Sequence, residues 1–307
     1  MPNRRGIRVQ HQPASALMRE SFTLTAGSSV CTVCPALGGS LIGWTVNGQA
    51  MLRDANSQAI ADGDTLGSSS FPLVPYSNRI GHGRFDWEGQ SLQITPNFTP
   101  EPHAIHGTGW EDVWQAERLS ESQLRMTVDH PGGARWPWPF QAEQLVTVHE
   151  DGLGLALTAT NLADEPAPLA FGHHPYFDSA GASLAFKAAH VWEIGEDGLP
   201  SHPVAPDGQF DFSAGVAVEG RAVDHCYAGV SGPVRIRWHD RPLMLEIDSA
   251  LPAAVIFIPK GGASFCFEPV PHINNALNLA GHAPGMPVIA PGERFEAVIA
   301  FRTTNVG

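Results

Sequence analysis

Five stretches of this chain concentrate side chains that can move protons or hold a polyol. The first is Ser264-Phe-Cys-Phe-Glu-Pro-Val-Pro-His-Ile-Asn-Asn275, where an alternating run ends in one carboxylate, Glu268. Ser264 and Cys266 alternate with Phe265 and Phe267, the mark of a short strand with one apolar face. Pro269 has no N–H for a sheet ladder, so pairing is expected to stop there and leave Glu268 at a strand end. A strand end is a rigid seat for a catalytic base; the alternative is a carboxylate that merely caps a turn. The second stretch, Phe71 to Gly81, sets Arg79 after Asn78 inside a proline-rich, otherwise apolar segment. An arginine there needs a partner, and its planar donor fork suits vicinal hydroxyls or a carboxylate.

The third stretch, Glu101 to Trp110, sets His106 beside Gly107 and Gly109, where backbone and ligand could approach closely, and offers the Trp110 face to a sugar ring. The fourth, Phe171-Gly172-His173-His174-Pro175-Tyr176-Phe177-Asp178, has two adjacent histidines that a strand would send to opposite faces. Only one of them can serve a given pocket, as a group that exchanges protons near neutral pH. The fifth, Arg221 to Tyr227, carries Asp224 in a loop-like setting. A lone histidine is more often structural than catalytic. His103 and His106 have chelating spacing only on a helix, which Pro102 and Gly107 oppose, so no metal site is assigned. No phosphate-binding glycine loop and no G-x-S-x-G elbow is present.

The elements that must position these groups read as strands. Leu124, Met126 and Val128 alternate with polar neighbours, as do Leu153, Leu155, Leu157 and Ala159, then Val234, Ile236 and Trp238, then Phe295, Ala297, Ile299 and Phe301. Asn47-Gly48 is a tight-hairpin signal, and Glu88-Gly89 reads as another turn. With no long helical period and no β–α alternation, stacked antiparallel sheets are expected. Residues 1–20 read as an N-terminal lead-in and 21–307 as one domain.

Composition narrows the function. Gly 32 and Pro 26 make the chain turn-rich, and 43% hydrophobic residues argue against disorder. A net charge of −13 opposes nucleic-acid binding and docking on anionic membranes. No apolar stretch reaches the ~20 residues of a membrane-spanning helix, and the basic N-terminus lacks a signal-type apolar core, so a cytoplasmic protein is expected. Cys31, Cys34, Cys226 and Cys266 are too few for a disulfide framework, and the Cys31-x-x-Cys34 pair reads as part of a strand.

Taken in order, Asn78-Arg79-Ile80, His106-Gly107, His174-Pro-Tyr-Phe177, Asp224 and Cys266-Phe-Glu268-Pro269 resemble the aldose 1-epimerase (mutarotase) family, from about Gly38 to the C-terminus. The resemblance implies a large antiparallel β-sandwich of the galactose mutarotase-like supersandwich type, a sugar cleft on one sheet face and no cofactor. It implies that Glu268 is the general base at the anomeric hydroxyl and His174 the general acid at the ring oxygen. Arg79, His106 and Asp224 would bind sugar hydroxyls, with Asn78 a weaker addition. The partner would be a small monosaccharide, and the protein a monomer or homodimer. Three positions depart from the family pattern: Thr108 where a second glycine is common, His173 for asparagine, and Asp178 for asparagine. They are expected near the pocket, bearing on the substrate more than on the reaction.

The chemistry fits the residue types independently, since mutarotation removes one proton and delivers another at neighbouring oxygens, with no nucleophile or redox centre. Three alternatives stand beside it. A sugar-binding or sensing protein on the same fold would bind without speeding anomer exchange. A hexose-6-phosphate epimerase would want basic residues beyond Arg79 and Arg84 at the cleft. A glycoside hydrolase would pair Glu268 with Asp224 across a glycosidic bond.

Overall fold

Residues 20–279 and 281–303 are described by the computed structural model; the lead-in expected over residues 1–20 falls almost entirely outside them. Two large antiparallel sheets make up the framework. The eleven-stranded sheet runs, edge to edge, through Phe22–Ala26, Ser29–Cys34, Ser40–Val46, Ser70–Leu73, Gly172–Asp178, Ser264–Val270, Ala253–Ile258, Val223–Ala228, His190–Ile194 and Pro200–Val204, with Gln49–Ala50 branching from Ser40–Val46. The nine-stranded sheet centres on the long strands Phe140–His149, Gly152–Asn161 and Arg294–Thr303.

The alternation read from the sequence is the alternation of burial. Leu124, Met126 and Val128 are buried, as are Leu153, Leu155, Leu157 and Ala159, and Phe295, Ala297, Ile299 and Phe301. They meet the inner face of the first sheet in one core, which also holds Trp44, Phe265 and Phe267. The turns follow their residues too. Asn47-Gly48 and Glu88-Gly89 both take positive φ, the geometry whose twist matches a two-residue hairpin.

The central strands of the first sheet are buried on both faces. Gly172–Asp178 has six buried residues before Asp178, and Ser264–Val270 has six after Ser264. Their outer face is covered by loops, and a second apolar cluster lies there, with Phe71, Tyr176, Val255, Cys266 and Ile273 among its members. That layer is what the chemical groups are set in.

The strand end expected at Pro269 is not there. Pairing with the Ala253–Ile258 strand continues through Val255↔Glu268 and Ala254↔Pro269 to Ala253↔Val270, so Glu268 sits inside a strand. The proline is tolerated because of which side its nitrogen faces. A Cβ on Gly172 would lie 2.8 Å from the Pro269 carbonyl, so that carbonyl, and the proline nitrogen with it, turn toward the Gly172–Asp178 strand. Pairing on that side ends at Tyr176↔Cys266, before the proline needs to donate.

Candidate active site

Register builds the floor of the site. Across the first sheet, Cys226, Val255 and Glu268 form one row, and Asp224, Phe257, Cys266 and Tyr176 form the adjacent row. Directly paired residues of antiparallel strands point to the same face. His174 pairs with Phe71 and lies two residues from Tyr176, so it shares that face. Its Nε2 is 3.3 Å from Glu268 Oε1. The neighbouring His173 points the other way, into the core, where its two ring nitrogens meet Ser70 and Gln144 Oε1. One of the two histidines faces the site, as a strand requires.

The pair is deeply set. Glu268 is 1% exposed and His174 6%. The His174 ring is flanked by Phe71 at 4.5 Å and Tyr176 at 4.6 Å between centroids, both near parallel. Behind Tyr176, the Arg53 guanidinium lies 3.4 Å from the ring centroid and donates to the Ser68 carbonyl. Burial pushes the Glu268 carboxyl well above its ordinary range, and the Asp224 charge adds to this. Burial pushes His174 well below its ordinary value, with His106 adding to that. Both shifts favour a neutral carboxyl beside a neutral imidazole over an ion pair. Either arrangement holds the same single proton. Glu268 Oε2 and His174 Nδ1 are buried and find no hydrogen-bond partner among the described residues.

The walls come from loops. Arg79 and His106 belong to or adjoin a two-stranded element, Arg79–Ile80 with Ala104–Ile105, above the outer face. Asn78, in the left-handed region, ties the two together: its N–H donates to His106 Nδ1, its carbonyl accepts from the His106 N–H, and its side-chain oxygen accepts from the Arg79 N–H. With Nδ1 accepting, the proton of neutral His106 sits on Nε2. Burial, then the Arg79 charge, hold that imidazole down to about 3. Gly107 is needed for a reason other than a ligand. At φ +73°, its Cβ would lie 2.1 Å from the Val74 carbonyl. The close approach expected there is made to Val74.

The segment after Glu268 locks these loops to the strand. His272 Nδ1 donates to the Ile273 carbonyl, and its Nε2 accepts from the Ser77 N–H at 3.3 Å. The Asn275 N–H donates to the Arg79 carbonyl, and its side-chain oxygen accepts from Gly81. Arg79 meets Glu101 through two bonds of 3.2 and 3.3 Å, and lies 3.9 Å from Asp224. Asp224, on the Val223–Ala228 strand rather than in a loop, is 47% exposed in its side chain and marks the mouth.

The predicted residues Glu268, His174, Arg79, His106, Asp224 and Asn78 are therefore brought to one face, graded from buried floor to open mouth. Four expectations need correction besides Pro269 and Gly107. Trp110 does not offer a free face; it is buried against Phe71 and His106. His173 faces the core, and Asp178 lies at the strand end beside Arg241, so neither departure lines the pocket. Asp224 is not in a loop. Glu101, His272 and Asn275 carry no role in the sequence reading, because Arg79, Ser77 and Gly81, which they meet, lie far along the chain. His103 is occupied structurally, accepting from the His82 N–H and meeting the Asp197 carbonyl.

The aldose 1-epimerase family model matches residues 20–302, nearly the whole chain. The chain belongs to the aldose 1-epimerase family. Among curated proteins it is 28% identical to the uncharacterized protein YphB of Escherichia coli K12, over 92% of this chain and 98% of that one. The fold matches a galactose mutarotase-like protein from Clostridium acetobutylicum, with TM-score 0.84, 18% identity and 93% and 95% of the two chains covered. It also matches galactose 1-epimerase from Lactobacillus acidophilus, with TM-score 0.76, 18% identity and 92% and 93% covered. At that identity these aldose epimerase-family structures speak to the fold. Among the described residues no helix is long and apolar enough to cross a membrane.

Proposed function

We propose that this protein is an aldose 1-epimerase that interconverts the α and β anomers of a free, uncharged aldose. The observation that carries the reading is the buried contact of 3.3 Å between His174 Nε2 and Glu268 Oε1. In a cyclic aldose the anomeric hydroxyl and the ring oxygen share one carbon. Opening the ring takes a proton from the first and gives one to the second, at adjacent points. The shared proton first passes from the Glu268 carboxyl to His174 across their contact, and Glu268, now a carboxylate, takes the proton of the anomeric hydroxyl. His174 as imidazolium gives its proton to the ring oxygen, and the C1–O bond to that oxygen breaks. The C1–C2 bond then rotates, and closure on the other face of the carbonyl returns both protons. The pair ends with the proton it began with. Each such positioned group contributes typically ~10²–10⁴-fold.

The rest of the site orients the ring. Arg79, His106 Nε2–H and Asp224 offer donors and an acceptor to sugar hydroxyls, and Asn78 holds Arg79 and His106 in place by its backbone and side chain. The charge around the mouth favours a neutral sugar. Arg79 is already engaged by Glu101 and Asp224, and Arg84 by Gln93, which leaves little for a phosphate. The same Glu–His pairing favours mutarotation over glycoside hydrolysis, whose acid and base or nucleophile are two carboxyl groups.

Polarimetry of freshly dissolved α-D-glucose, α-D-galactose and α-D-xylose tests the reading. Wild type speeds the approach to anomeric equilibrium for at least one of them, and Glu268→Gln loses at least ~10²-fold of that rate. Tight sugar binding with no acceleration by wild type would favour a binding protein instead.

A further inference from the structure

We propose that His174, Cys266 and Glu268 form a binding site for one thiophilic divalent cation, of which Zn²⁺ is the type, and that cation and sugar exclude one another there. A ligating nitrogen of His174, the Cys266 sulfur and a Glu268 carboxylate oxygen lie within 4.8 Å of one another, on residues that are all buried. The arrangement follows from register. Cys266 and Glu268 are two apart on one strand face, and His174 reaches them from the next strand. Zinc held at ~2.0–2.1 Å by nitrogen and oxygen sets those two ligands roughly 3.3 Å apart in a tetrahedron. The His174 Nε2 to Glu268 Oε1 distance is 3.3 Å before any metal enters.

The donor set selects the metal. One imidazole, one sulfur and one carboxylate suit a borderline-soft ion, and three protein ligands leave a fourth position open. Magnesium and calcium ask for six or more oxygens, which these residues do not supply. A dication with a thiolate and a carboxylate leaves no net charge at these buried residues, the two displaced protons passing to solvent. Glu268 Oε2 is buried and has no partner among the described residues, so the floor holds an unanswered acceptor. The ligands differ from the His103 and His106 pair, which the fold uses otherwise. A bound ion would occupy both groups proposed to move protons, so occupancy stops anomerisation.

The test is titration of the full chain with Co²⁺ and with Zn²⁺, read without any activity assay. One equivalent of Co²⁺ is expected to give a near-ultraviolet thiolate-to-metal charge-transfer band. Cys266→Ser is expected to abolish the band and weaken Zn²⁺ binding by at least ~100-fold, while Cys31→Ser, a control at a buried cysteine in the core between the two large sheets, retains both. Cys266→Ala checks that a serine-specific packing fault is not the cause. Saturating free aldose is expected to raise the apparent Zn²⁺ Kd in proportion to sugar concentration. A band that survives Cys266→Ser, the absence of a one-equivalent site in wild type, or a Zn²⁺ affinity indifferent to bound aldose would overturn the proposal. The binding arm stands apart from the proposed activity. Inhibition of anomerisation by equimolar Zn²⁺, relieved in Cys266→Ser, is the arm that rests on it.

Discussion

His272 ties the catalytic-strand segment to the Ser77 loop, and replacing it with glutamine should change how stability depends on pH. In the folded chain, Nδ1 donates to the Ile273 carbonyl and Nε2 accepts from the Ser77 N–H. Protonation would turn that acceptor into a second donor facing a donor. Burial, partly offset by the Ile273 bond, holds the imidazole down to about 4. An unfolded histidine titrates near ~6.5. The folded value is the lower one, so the unfolded chain binds the extra proton first. Stability is then lost as pH falls through 6.5 toward 4, and the loss levels off below that. At pH 5 the gap from ~6.5 is about 1.5 units, and at about 1.36 kcal/mol per unit the penalty is about 2 kcal/mol relative to pH 7.5. His272→Gln keeps a neutral acceptor near the Nε2 position and does not titrate. Urea unfolding of both proteins at pH 7.5 and pH 5 isolates the difference, because the other buried histidines are common to both. The variant is expected to start less stable and to gain about 2 kcal/mol on wild type by pH 5. A difference constant to within about 0.5 kcal/mol across that range would refute the reasoning.

Three other outcomes are expected. Gly107→Ala forces a Cβ to within 2.1 Å of the Val74 carbonyl at positive φ; it should cost at least about 2 kcal/mol in urea unfolding, and a cost near zero would show that the backbone yields. Arg79→Lys gives up the two-point contact with Glu101, and kcat/KM for the best aldose should fall ~10-fold or more, mostly through KM, in progress curves by polarimetry. Phe71→Leu removes the ring stacked on His174 while keeping the row apolar; kcat should fall several-fold with little change in the far-ultraviolet circular dichroism spectrum, since the imidazole loses a wall and not the fold.

Much of the framework was legible because burial in sheets repeats every two residues. Leu153, Leu155 and Leu157 face the core for the reason that Phe295 and Ile299 do, and the hairpins fell where Asn47-Gly48 and Glu88-Gly89 permit positive φ. The adjacent His173 and His174 also divided between faces as strand geometry demands. What the chain hid is what depends on its neighbours. Pro269 continues a strand because the ladder on its nitrogen side has already ended at Tyr176↔Cys266, a fact no local pattern carries. Glu101 was inside a quoted stretch, but its pairing with Arg79 spans 22 positions through a loop crossing. Trp110 looked like a sugar platform by type, and the covering layer buried it instead. Ranking the buried Asn78 below the other site residues missed its part as the joint that holds Arg79 and His106 together.

In the proposed reaction one imidazole and one carboxyl serve the two oxygens on the anomeric carbon of a single ring. A crystal structure of Glu268→Gln soaked with a free aldose measures this most directly. A pyranose is expected on the outer sheet face, its ring oxygen within hydrogen-bonding reach of His174 and its anomeric hydroxyl within reach of residue 268, with Arg79, His106 and Asp224 on the remaining hydroxyls. A sugar bound with its anomeric carbon turned away from both residues, or seated in a different cavity, would contradict it.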